Sequence, residues 1–184
     1  MSIPQNYKQV AGLYDNLKPT LQKYLEHYPK LVSVDLPFEV VIAYLFQRLE
    51  RAHRRALYGG IIKIHSANAE LTDAIISKAF LTRAEFDDLF ERIFKKRLSK
   101  MAVALREDAE AIRDKSMHGG EVDEPPLRKA VKDILEYYEA FNSEVFAEAG
   151  FEPCGDMRGI TGASAKLEKD TTKWLLKGLQ LPIK

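Results

Sequence analysis

The sequence predicts an all-α protein, and three observations support that fold class. Apolar residues recur at three- and four-residue steps over long stretches, as at Phe86, Leu89, Phe90 and Ile93. Prolines and glycines divide these stretches at intervals typical of helix ends. No segment alternates apolar and polar residues over the length of a strand. Because the intervening loops are short, we predict an up-down four-helix bundle with an extra N-terminal helix and a C-terminal helical tail.

Three regions are expected along the chain. Residues 1–35 are predicted to form an N-terminal helical extension, in which one helix over residues 5–28 is kinked or split at Pro19 and ends at Pro29. Residues 36–149 are predicted to form the helical bundle. Residues 150–184 are predicted to form a loop followed by a short helix, for which Ser164 is the candidate cap.

The first half of the bundle is predicted to contain two helices separated by Gly59-Gly60. The first helix follows a cap at Asp35 and ends near Leu57, and the second covers Ile61 to Phe80. Glycine pairs of this kind are typical of breaks between helices, so the chain is expected to turn there.

The second half of the bundle begins at a capping box, in which the side chains of Thr82 and Glu85 each bind a free backbone amide. The helix that follows is predicted to be the longest of the chain and to continue to the Arg113 stretch, with a bend near Ser99 left open and no proline to interrupt it. Gly119-Gly120 is predicted to end it, and Pro125-Pro126 is predicted to open the last bundle helix.

Composition limits the classes of function. The 184 residues carry 28 basic and 27 acidic side chains, for a net charge of +1, so a nucleic-acid interface would need a local basic patch. The single cysteine, Cys154, excludes an intramolecular disulfide and a zinc site of several cysteines, and it fits a reducing cytoplasm. No apolar run approaches the roughly 20 residues that span a bilayer. We therefore expect a cytoplasmic protein.

Several common site types lack their sequence signature. The chain has no phosphate-binding glycine loop, no dinucleotide-binding glycine pattern and no His-Glu-x-x-His pair. Its four histidines, His27, His53, His65 and His118, do not show the spacing of metal ligands. We therefore predict no metal and no cofactor.

The stretch from Arg113 to His118 combines chemically useful side chains at the end of the longest predicted helix. Arg113 is a permanent cation, and a histidine such as His118 changes charge near neutral pH. Asp114 adds a carboxylate and Ser116 adds a hydroxyl within the same six residues. Together these groups can hold an anion and move a proton beside it.

This stretch resembles the R-x4-H motif of the HEPN family, in which a polar residue such as Asp114 commonly follows the arginine. The motif of that family lies at the end of a core helix, just before the loop to the last one, which is where Arg113 and His118 are predicted. A second match, Arg48 to His53, lies inside a predicted helix and lacks the glycine stop. The resemblance covers residues 36–149.

The resemblance implies a function. Many HEPN domains are metal-independent endoribonucleases that act as toxins in toxin–antitoxin pairs, in phage defence or in RNA processing, with the motifs of two subunits lining one cleft. We therefore expect RNA as substrate, a homodimer, and possible pairing with an antitoxin protein. The alternative is a non-catalytic module of the same type that binds RNA or a nucleotide, or that mediates protein interactions.

The predicted roles follow from the chemistry of RNA cleavage. His118 serves as general base or acid toward the 2′-hydroxyl and the leaving oxygen, and Arg113 binds phosphate oxygens with its planar fork. Asp114 orients His118 or pairs with Arg113, and Ser116 binds the phosphate. Residues five apart on a helix point about 140° away from each other, so either the Gly119-Gly120 end turns His118 round or a second subunit completes the site. We take the homodimer as the working hypothesis.

Alternatives stay open for three features. Arg113 can instead pair with Glu107 or Glu110 and His118 can cap the helix end, where an imidazolium is favourable, with no role for either in catalysis. A basic stretch is either a candidate RNA-binding face or a solvated helix end. Its members are Arg48, Arg51, Arg54 and Arg55. Trp174 is expected to dock the C-terminal tail on the bundle or on a partner, and stacking on an RNA base is the other interpretation.

Overall fold

The computed structural model describes residues 3–34, 36–79, 81–160 and 167–181, and these residues form nine helices and no strand. The helices are α1 (Tyr7–Asp15), α2 (Pro19–Tyr24), α3 (Tyr28–Ser33), α4 (Phe38–His65), α5 (Ala69–Ile76), α6 (Arg83–Phe94), α7 (Lys100–Met117), α8 (Glu124–Ala149) and α9 (Lys169–Gly178). The predicted all-α class is confirmed. The predicted caps at Asp35 and Ser164 lie outside the described residues.

The chain forms two compact units, each made of two separate segments. Unit 1 comprises Met1–Glu50 and Ser99–Phe141, and unit 2 comprises Arg51–Leu98 and Asn142–Lys184. Helices α4 and α8 each contribute their first part to unit 1 and their last part to unit 2. The domain boundaries predicted after residues 35 and 149 do not coincide with the boundaries of these units.

The N-terminal helices bury apolar side chains in the core of unit 1. Val10, Leu21 and Tyr28 are fully buried, and the hydroxyl of Tyr28 donates a 2.8 Å hydrogen bond to the carbonyl of Val10. Pro19 opens α2, which confirms the predicted split. Pro29 was predicted to end a helix, but it lies in the first turn of α3, where a proline loses no helical hydrogen bond.

Two tyrosines attach neighbouring helices to the first part of α4 within unit 1. Tyr24 of α2 donates a 2.8 Å hydrogen bond to the carbonyl of Arg48, and Tyr138 of α8 donates a 2.7 Å hydrogen bond to the carbonyl of Leu45. Tyr138 is fully buried, so a backbone partner offsets the cost of removing its hydroxyl from water. This stretch of α4 also carries Phe46, which contacts the candidate site.

The predicted break at Gly59-Gly60 is wrong, because α4 continues through both glycines to His65. A Cβ atom on Gly59 would lie 2.3 Å from Cζ of Phe151, and one on Gly60 would lie 2.7 Å from Cγ2 of Ile93. The glycines therefore allow close packing inside unit 2 rather than a turn. Helix α4 ends at His65, and the residue that follows it, Ser66, adopts a positive φ of 55°.

The long helix predicted after residue 82 is two helices. Lys95 adopts a left-handed φ of 57° at the end of α6, and the Ser99 hydroxyl caps α7 by accepting from the amide of Ala102. The capping box at the start of α6 is confirmed, since Thr82 and Glu85 bind each other's backbone amides. Hydrogen bonds from Thr82 hold the pKa of the Glu85 carboxyl below its usual value.

Helix α9 docks on α5 through Thr172, which is fully buried and accepts a 2.8 Å hydrogen bond from the amide of Asn68. An exposed ion pair of 2.7 Å joins Lys169 to Glu70. Trp174 does not dock this tail within the chain, because its side chain remains 78% exposed while Leu176 is fully buried, and docking on a partner stays a prediction. Helical spacing places Trp174 on the face opposite to the docked one.

Candidate active site at the end of helix α7

The candidate site is built on the turn that ends α7 in unit 1. Gly119 adopts a left-handed φ of 79°, and the amide of Gly120 donates a 3.0 Å hydrogen bond to the carbonyl of Lys115. The amide of Gly119 donates a longer bond of 3.4 Å to the carbonyl of Ser116. This pair of bonds is the Schellman motif, which favours glycine at the left-handed position. It confirms the predicted helix end and leaves His118 exposed as the capping residue.

Arg113 is held in place by two neighbours inside unit 1. Its guanidinium carbon lies 5.0 Å from the ring centroid of Phe46, and Nη1 lies 3.7 Å from Oδ1 of Asp114. The side chain is 29% exposed, and none of the described residues accepts a hydrogen bond from its buried Nε. The ring packs against the guanidinium, and because Nε is buried, the Nη groups are the donors that a ligand can reach.

His118 lies just beyond α7, as its C-cap. On a helix that continued to this residue, five positions would separate it from Arg113 by about 140°, whereas Asp114 precedes it by four positions. One chain brings Arg113 to Asp114 directly, and it places His118 in solvent at the helix end. The predicted difference in direction between Arg113 and His118 therefore stays a prediction.

Ser116 uses its hydroxyl proton within the helix. Its Oγ donates a 2.9 Å hydrogen bond to the carbonyl of Arg113, and the side chain is half-buried. A serine that bonds back to the preceding turn keeps its oxygen lone pairs but has no proton for a phosphate unless it rotates. The predicted phosphate contact of Ser116 would require that rotation.

A buried ion pair lies one to two turns before Arg113 on the same face of α7. The side chains of Arg106 and Glu110 are 2% and 7% exposed, and Nε of Arg106 lies 4.0 Å from Oε2 of Glu110. Glu110 was considered as a partner for Arg113. The burial of Arg106 could have been predicted from the sequence, because Arg106 lies on the same helical stripe as the buried Ala102 and Ala109. Removing one member of a buried pair typically costs about 3–5 kcal/mol.

The two side chains of the second R-x4-H match, Arg48 and His53, pack against aromatic rings of the fold. In unit 1 the guanidinium of Arg48 donates to the carbonyl of Tyr24 and lies 4.2 Å from the centroid of that ring. In unit 2 the imidazole of His53 stacks on Phe86 with 3.7 Å between ring centroids. Arg48, predicted to contact RNA, thus has its guanidinium engaged inside the fold. These contacts favour Arg113 and His118 as the pair with a functional role.

The remaining basic residues of α4 differ in availability. Arg51 and Arg54 are exposed, whereas Arg55 is half-buried and donates to the carbonyl of Gly155 in unit 2. Two of the four predicted RNA-contacting arginines therefore present a solvated guanidinium.

Unit 2 also contains an open cleft of about 300 Å³. Its charged lining includes Lys63, Glu152 and Asp156, and Arg158 binds Asp156 through two nitrogens. The exposed ring of Phe146 forms part of its wall. None of the predicted site residues lines this cleft. Its cations and carboxylates are balanced, so its charge does not select one class of ligand.

Among the described residues, no three His, Cys, Asp or Glu side chains are grouped so that they could hold a metal ion. No described helix is both long enough and apolar enough to cross a membrane. Comparison of the chain with models of protein families, with curated proteins and with solved structures gives no match.

Proposed function

We propose that this protein is a metal-independent endoribonuclease of the HEPN type, with Arg113 and His118 as its catalytic residues. The observation that carries the proposal is the end of α7. There the Schellman turn leaves the His118 imidazole exposed, and Phe46 and Asp114 hold a guanidinium that still has donors for a ligand. The helical core would then have the up-down bundle arrangement of that family.

The proposed reaction is a transesterification within the RNA chain. The 2′-oxygen attacks the adjacent phosphorus, the bond from phosphorus to the 5′-oxygen breaks, and the products end in a 2′,3′-cyclic phosphate and a 5′-hydroxyl. An imidazole takes the 2′-proton, and an imidazolium returns a proton to the leaving oxygen. The Arg113 guanidinium binds the phosphate oxygens, on which negative charge grows in the transition state.

A second copy of the chain completes the site in this proposal. At about 100° per residue, helical positions 113 and 118 would face about 140° apart, and one chain would then not aim both groups at one phosphodiester. A two-fold axis at the helix end would bring the arginine of one subunit to the histidine of the other, and it would supply one imidazole as base and one as acid. Light scattering should report a dimer at micromolar concentration, and a monomer that cleaves RNA would contradict this arrangement.

A second candidate function is a non-catalytic module that binds RNA or a nucleotide, or another protein, at the same place. The observation that favours it is the engagement of Arg113 by Asp114 and Phe46, which is also what a structural arginine shows. If RNA is the ligand of such a module, the protein would bind single-stranded RNA without cutting it.

The test compares one single-stranded RNA with its 2′-O-methylated counterpart in EDTA. We expect the wild type to cut the first and leave the second intact, because methylation removes the attacking hydroxyl. Arg113→Lys keeps the charge but loses the planar fork, so it should cut much more slowly. Failure to cut varied RNAs, or equal cutting of the methylated strand, would overturn the proposal.

A further inference from the structure

Helix α9 carries the only tryptophan of the chain on its solvent face. The helix buries Thr172 and Leu176 completely, and it leaves Trp174 78% exposed. An indole is among the largest apolar side chains, and leaving it in water forgoes a substantial gain from burial. A ring placed on the exposed face of an otherwise well-docked amphipathic helix therefore points to a ligand that covers it.

Cations flank the exposed ring. Lys177 follows Trp174 by one turn and is its neighbour on the helix surface, Lys173 directly precedes it about 100° away round the helix, and both lysines are exposed. Asp170 lies one turn before Trp174, and from residue 171 to residue 181 the sequence contains these two lysines and no acidic residue. The ammonium of Lys173 lies 3.3 Å from Oδ1 of Asp170, but both groups are solvated, and such a pair exchanges readily for another anion.

We propose that Trp174, with Lys173 and Lys177, is a stacking platform for an unpaired base of single-stranded RNA. The base would stack on the indole, and the lysines would bind the phosphates on either side of it, which is how aromatic rings and cations combine in single-strand binding. This inference rests on the proposed function in one respect, that RNA is the ligand. It assigns no catalytic role to α9.

Charge favours RNA over a protein partner at this surface. Lysine is depleted at protein–protein interfaces, whereas a cation on each side of an aromatic ring matches a phosphate backbone. Phe146 provides the contrast within unit 2. Its ring is 56% exposed, but the cleft that it lines carries two cations, Lys63 and Arg158, and two carboxylates, Glu152 and Asp156. An exposed aromatic residue in balanced charge is not expected to bind a phosphate backbone.

The test uses the fluorescence of the single tryptophan. Single-stranded RNA is titrated in EDTA into the His118→Ala protein, which is expected to bind without cleaving. Stacking should quench the emission of Trp174 saturably. The Trp174→Ala variant has no tryptophan, so its binding is measured with fluorescently labelled RNA. Its affinity should be about tenfold weaker, because one stacked base typically contributes about that factor to affinity. Lys177→Gln should lower the slope of log affinity against log salt by about 0.7. Phe146→Ala, the matched exposed aromatic, should bind as tightly as the parent.

Three outcomes would overturn the proposal. RNA that binds tightly without quenching, together with unchanged binding by Trp174→Ala, removes the platform and leaves the nuclease proposal intact. The platform is also removed, and the nuclease proposal left intact, if wild-type emission shifts to the blue as protein concentration rises without RNA. Such a shift would mean that a second copy of the chain covers the indole. Absence of both RNA binding and RNA cleavage by the wild type removes the platform and the nuclease proposal together. If Trp174→Ala cleaves a dinucleotide at the wild-type rate but a long RNA more slowly, the platform is supported.

Discussion

Replacing Gly119 with alanine tests the turn that presents the candidate site. Gly119 has a φ of 79°, and an L-residue held in the left-handed region costs about 1–2 kcal/mol relative to glycine. A Cβ atom at this position would meet no atom within 4 Å, so backbone strain is the only penalty expected. For a chain of this size the melting temperature should fall by about 2–8 °C. RNA cleavage should fall with it, because the turn sets the direction of His118.

Calorimetry and urea unfolding measure the effect against two further variants. Gly119→Asn should lose less stability than Gly119→Ala, because asparagine tolerates the left-handed region. Gly12→Ala is the matched control, since Gly12 lies inside α1 with no atom within 4 Å of an added Cβ. That variant should gain about 0.5–1 kcal/mol from the higher helix propensity of alanine. Equal stability of the two alanine variants would refute the left-handed turn.

Three further predictions concern packing, capping and the dimer. Gly60→Ala should lower the free energy of unfolding in urea by about 1–3 kcal/mol, because its Cβ would lie 2.7 Å from two buried side chains, and wild-type stability would contradict that role. Thr82→Ala removes the cap of α6 and should cost about 1 kcal/mol at neutral pH. Hydrogen bonds from Thr82 lower the pKa of Glu85, so the stability they add is present above the unfolded pKa of about 4.3 and is lost as the pH falls through the folded value. The difference between Thr82→Ala and the wild type should therefore shrink in urea titrations below about pH 4, and a constant difference would contradict this. An equal mixture of wild type and His118→Ala should cleave at about a quarter of the rate of the same total concentration of wild type, since only about a quarter of random dimers then keep both imidazoles; about half of that rate, as independent subunits would give, would contradict a shared site.

Local signals in the sequence located several helix ends correctly. The capping box at Thr82 and the glycines after His118 act through their own backbone neighbours, so their effect is readable without tertiary structure. Gly59 was misread because its reason lies in Phe151, which is ninety-two positions later along the chain. A glycine pair looks the same whether it breaks a helix or admits a neighbouring ring, and only the packing distinguishes the two. The break at Lys95 has no glycine or proline to mark it.

The sequence singled out the residues of the candidate site, but not their surroundings. Spacing and residue types selected Arg113 and His118, and helix geometry predicts an angle of about 140° between them. The ring of Phe46 under the guanidinium depends on how α4 meets α7, which periodicity does not specify. Trp174 shows the same limit, because an apolar residue on an amphipathic helix is normally assigned to the buried face.

The central claim is that the His118 imidazole transfers a proton during RNA cleavage. Its most direct test is the rate at which His118→Ala cuts one single-stranded RNA in EDTA, compared with the wild type and with His27→Ala, which removes another exposed histidine of unit 1. Loss of a general acid or base should slow cleavage by about 100-fold or more, while His27→Ala should cut at the wild-type rate. Cleavage by His118→Ala within about twofold of the wild type, far below any general acid–base contribution, would contradict the proposed mechanism.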